Sequence, residues 1–74
     1  MTGQLRIMNR HGHSTVTWST DLQETVEAAN RRFNELLAEG YTAFEMQSAT
    51  MGEQVTEFDA EAQTVVLVPR MVGG

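Results

Sequence analysis

The chain has 74 residues, 41% apolar and 20% charged, the balance of one small folded domain and not of a disordered segment. A chain this short buries only about 60% of its unfolded surface, which leaves no room for a sizeable catalytic cleft. Five arginines against ten acidic residues give a net charge of −5, the wrong sign for tracking nucleic-acid phosphates. With no cysteine and no lysine, disulfides, thiol nucleophiles and thiolate zinc sites are all excluded.

Met1 to Asn9 alternates polar and apolar residues and lacks the continuous apolar core of a signal peptide. The longest apolar run, Val65 to Val68, is far too short to span a bilayer. These features predict a cytoplasmic protein with no membrane partner.

The first elements read as a hairpin. Leu5 and Ile7 alternate with Arg6 and Met8, and Val16 and Trp18 alternate with Thr15, Thr17 and Ser19, the period of half-buried strands. Asn9 to His13, polar and holding Gly12, suits the connecting turn. Leu5, Ile7, Val16 and Trp18 are expected on one buried face.

A helix follows. Thr20 or Asp21 is the expected cap, with Gln23 or Glu24 completing a capping box. Leu22, Val26, Ala29, Phe33, Leu36 and Leu37 form one apolar stripe, and Gly40 supplies the left-handed residue that ends a helix. Glu24, Glu27, Glu35 and Glu39 read as its solvated face.

Beyond it, Tyr41 to Gln47 reads as a strand with Phe44 and Met46 on one face, and Ser48 to Gln54 as a loop around Gly52. A short strand is expected at Val55 to Phe58, and a turn at Asp59 to Gln63. Thr64 to Val68 is apolar on both faces and suits a central strand; Pro69, lacking a donor, stops the pairing. Trp18, Phe33, Phe44 and the strand methionines are expected in the core. One helix with a single stripe must cover one face of a mixed sheet, giving an α+β domain in the order β-β-α-β-β-β with four or five strands. With the last strand beside the first, the arrangement is the β-grasp, spanning residues 1–69 with a flexible tail at 70–74.

That tail carries the chemistry. A carboxylate to be adenylated must enter a narrow active site as extended backbone, and glycine alone has no Cβ to obstruct it. Gly73 and Gly74 fit this use, although glycine is also tolerated freely in disordered ends. In that chemistry the chain is the substrate and not the catalyst.

The last eleven residues, Thr64-Val65-Val66-Leu67-Val68-Pro69-Arg70-Met71-Val72-Gly73-Gly74, resemble the end of ubiquitin: the threonine, the apolar alternation, the arginine four residues before the final glycine and the Gly-Gly pair. The resemblance covers the whole chain only as element order. It implies a ubiquitin-like protein modifier of bacterial type, conjugated by isopeptide bonds. Gly74 would be activated by an ATP-dependent, E1-like adenylating enzyme, Gly73 would give clearance, and Arg70, Met71 and Val72 would be read by that enzyme. An E2-like conjugating enzyme, a JAB-type deconjugating protease and target proteins are the other implied partners. The chain itself needs no cofactor, since ATP is used by the partner. Sulfur carriers of thiamine and molybdopterin synthesis share the fold and the diglycine end, so a C-terminal thiocarboxylate is the alternative chemistry. Pro69 and Val72 depart from the family prototype, and the lysines used for chain building are missing.

Four further features complete the reading. Met8, Val66 and Val68 fall on the sheet face opposite the helix and form a candidate partner patch, which also allows a non-covalent interaction module. His11 and His13 flank Gly12 without a third ligand nearby, so a solvated turn outweighs a metal site. No nucleophile–base set or carboxylate pair stands out, so the chain is read as a non-enzyme. Missing lysine reads first as arginine-favouring composition and second as an acyl donor that must not modify itself.

Overall fold

In the computed structural model, which describes residues 1–9 and 12–69, the elements run β1 (Thr2–Asn9), β2 (Gly12–Ser19), α1 (Gln23–Ala38), β3 (Thr42–Met46), β4 (Gly52–Val55) and β5 (Thr64–Val68). The five strands form one mixed sheet in the order β2-β1-β5-β3-β4. β1 and β5 are parallel, and the other neighbours are antiparallel. The helix covers one face, so the domain is a two-layer α+β structure.

The alternation in β1 sets the core. Leu5 and Ile7 point to the helix beside Val65 and Leu67, their partners on β5, and Ala43 joins them from β3. From the helix come Ala29, Phe33 and Leu36. Trp18 closes one end of the core, and its ring lies over Gly3: a Cβ there would stand 2.3 Å from Trp18 Cζ2 and 2.6 Å from the Ala62 carbonyl oxygen. Only glycine permits that approach.

The helix ends as expected and starts differently. Gly40 has φ +101°, the Tyr41 N–H donates to the Leu36 carbonyl and the Gly40 N–H to that of Leu37, both at 3.0 Å; this is the Schellman pattern. At the other end the N-cap is Leu22, with no side-chain cap bond. Thr20 is occupied elsewhere, donating backbone N–H (2.9 Å) and hydroxyl (3.1 Å) to the Met1 carbonyl. Leu22, expected in the buried stripe, is instead 53% exposed. Thr25 ties the first turn down: its hydroxyl oxygen accepts the Ser19 N–H at 2.9 Å.

The second half needs two corrections. β4 lies at Gly52–Val55, not at Val55 to Phe58, so Gly52 to Gln54 is strand and not loop. The connection from β3 is a tighter turn, closed by the Gln47 N–H to the Met51 carbonyl at 2.7 Å and by Ser48 Oγ, which accepts the Met51 N–H at 3.2 Å. Phe58 leaves the sheet for the core, its ring edge-on to Trp18 (4.9 Å) and to Phe33 (5.8 Å). Phe44 and Met46 do share a face, as expected, but it is the one turned away from the helix. Phe44 pairs with Val66, while Ala43 takes the buried position.

Candidate interaction surface

The face of the sheet opposite the helix follows directly from the registers. Across its centre runs a row formed by Thr15, Arg6, Val66, Phe44 and Gln54, contributed by all five strands in spatial order. Met8 on β1 and Val68 on β5 continue the same face at one end, with Thr42 opposite Val68. Toward the other end lie Gln4, Thr64 and Met46. The three residues expected there, Met8, Val66 and Val68, are therefore brought together.

Phe44 and Met46 belong to the patch although the sequence suggested the core. The signal was present in the alternation Thr42-Ala43-Phe44-Glu45-Met46, but residue size points the wrong way. The small Ala43 takes the fully buried position and the large Phe44 the outward, half-buried one. Met8, Phe44, Met46, Val66 and Val68 are all half-buried, and they lie on neighbouring positions of β1, β5 and β3 and are not scattered singly.

Arg6 stands exposed at the border of this apolar surface, between Thr15 on β2 and Val66 on β5. Among the described residues the ion pair present is Arg32 with Glu35 at 3.9 Å on the helix, and Arg6 has no carboxylate partner among them. Beside it a shallow depression of about 370 Å³ is lined by Arg6, Met46, Ser48, Thr64 and Val66 among others. An exposed guanidinium with Val66 and Met8 on one side and Thr15 and Gln4 on the other is suited to a carboxylate that carries both apolar and polar neighbours.

Gly73, Gly74, Arg70, Met71 and Val72 lie outside the described residues, as does His11. β5 carries the chain out of the middle of the sheet to Pro69, five residues before Gly74. His13 is exposed on β2, and among the described residues no group of three or more His, Asp or Glu side chains could hold a metal ion. Among those residues, too, no helix is long and apolar enough to cross a membrane. Compared with known proteins, the chain matches no family model, no curated protein and no solved structure.

Proposed function

We propose that the chain is a ubiquitin-like modifier of the β-grasp type, activated at Gly74 by an ATP-dependent adenylating enzyme and joined to target amines. The observation that carries this reading is the central β5, parallel to β1 and leading out through Pro69 toward the diglycine. The order β2-β1-β5-β3-β4 under one helix supports the β-grasp reading for the same reason.

The chemistry follows from what the chain lacks. The Gly74 carboxylate attacks the α-phosphate of ATP and pyrophosphate leaves. A thiol of the partner enzyme displaces AMP, and a target amine displaces that thiol to form the amide. With no cysteine and no lysine in the chain, it supplies neither the thiol nor a lysine amine for the steps after the adenylate. The apolar face around Arg6 supplies a surface by which those proteins recognise the domain.

The test is proteomic. Trypsin cuts after Arg70, so a target lysine should carry Met-Val-Gly-Gly, and a variant lacking Gly73 and Gly74 should give no adduct while melting as the parent does. A cell expressing the chain with its neighbouring genes and yielding no such remnant counts against conjugation. Replacement of one oxygen by sulfur in the intact mass, after ATP, activating enzyme and a sulfur donor, would instead establish the carrier chemistry. Full function of the truncated variant would leave the Arg6 face as the working surface of a non-covalent module.

A further inference from the structure

The sheet has two edges, and they are built differently. β4 is short, four residues, and carries Glu53, the usual means of discouraging edge-to-edge pairing. β2 is eight residues long, Gly12-His13-Ser14-Thr15-Val16-Thr17-Trp18-Ser19, with no acid, arginine or proline, and its pairing with β1 runs without a bulge from Gly12 to Ser19. Nothing in its sequence guards it.

Which backbone groups of β2 face outward can be read from Ser19. Its N–H is taken up by Thr25 Oγ1 at 2.9 Å, and its carbonyl lies 3.0 Å from the same hydroxyl, so both point away from β1. With the alternation of an antiparallel ladder, the N–H and C=O groups of Thr17, Thr15 and His13 point the same way. Three donors and three acceptors line this edge.

We infer that β2 is a self-association edge, pairing antiparallel with β2 of a second copy about a two-fold axis at Thr15. That register sets Thr15 opposite Thr15 and Thr17 opposite His13 of the other copy. Each outward donor then meets an outward acceptor, forming six backbone hydrogen bonds from the six donors and six acceptors of two chains. Thr–Thr pairs across strands are favourable. The self-pairing is also free of direct charge opposition: the chain carries a net charge of −5, but β2 bears no formal charge, so this register sets no like charges opposite each other. One strand pair belongs with the small, weak interfaces below about 1,200 Å², so the dimer forms at high concentration and dissociates on dilution.

Sedimentation equilibrium from low micromolar to millimolar concentration tests this, together with amide exchange by NMR. The weight-average mass should rise from the one-chain toward the two-chain value, with slower exchange appearing at His13, Thr15 and Thr17 in step. Thr15→Pro removes a donor that β1 does not use, a placement proline tolerates on an edge. Thr15→Glu sets two carboxylates across the axis and keeps Arg6 as an intrachain neighbour. Each variant, if it retains the parent circular dichroism, should stay at the one-chain mass throughout. A parent that remains monomeric at millimolar concentration overturns the inference, as does a folded Thr15→Glu variant that associates as strongly as the parent.

Discussion

Trp18 donates its indole N–H to the carbonyl of Ala60 at 2.9 Å, joining residues 42 positions apart. The bond fixes the loop after β4 against the end of the first hairpin. Around it Gly3 lies beneath the ring and Phe58 meets its edge.

Trp18→Phe keeps an aromatic ring but removes the donor, leaving the Ala60 carbonyl without its partner. The expected loss is about 2 kcal/mol in urea-induced unfolding. A variant as stable as the parent would show that water satisfies the carbonyl equally well.

Gly3→Ala and Gly52→Ala should part company. At Gly3 the new methyl meets the Trp18 ring and the Ala62 carbonyl, neither able to withdraw, whereas at Gly52 it meets the end of the flexible Met46 side chain, Sδ at 2.8 Å. We expect a loss of about 3 kcal/mol or more for the first and under about 1 kcal/mol for the second. Red-shifted tryptophan emission in Gly3→Ala would locate the damage at Trp18.

Gly40→Ala places a Cβ on a residue at φ +101°. The cost should be about 1–2 kcal/mol, with earlier amide exchange at Tyr41, whose N–H closes the helix end.

The two faces of the sheet are separated by a pair of truncations. Phe33 is fully buried among Leu36, Ala29 and the sheet, and Phe44 is half-buried on the far side. Phe33→Ala should cost about 3–5 kcal/mol. Phe44→Ala should cost about half of that or less, and should weaken capture of any partner that reads the Arg6 face. Equal melting losses would mean that Phe44 is a core residue after all.

Legibility in the sequence followed the range of the forces involved. Gly40 announced the helix end because a left-handed residue is a local requirement. The first hairpin was visible because alternation and turn residues lie within one short stretch. The helix start was hidden: Thr20 is a good cap in isolation, but the Met1 carbonyl, 19 residues away, takes its hydroxyl. β4 was misplaced because Phe58 looks like a strand residue until Trp18 and Phe33 offer it a better place. The outer face was half legible, in Met8, Val66 and Val68, and Phe44 was missed because size was a poorer guide than register. The diglycine chemistry rests on residues beyond the described ones.

The position of β5 decides how the molecule becomes cooperative. The β1–β2 hairpin and the β3–β4 hairpin do not pair with each other; β5 alone stitches them together, contacting Leu5 and Ile7 on one side and Thr42 to Glu45 on the other. Its partners on β1 are some 60 residues away in sequence, so this closure is the most expensive loop in the fold. Each hairpin is a local pairing, marginal by itself, and the helix has a complete floor to pack on only when β5 joins the two. The transition from a loose pair of hairpins to one unfolding unit therefore hangs on five residues, Thr64–Val68. A chain interrupted before them would be left with two hairpins and a helix that are each marginal alone, and would lose most of its stability.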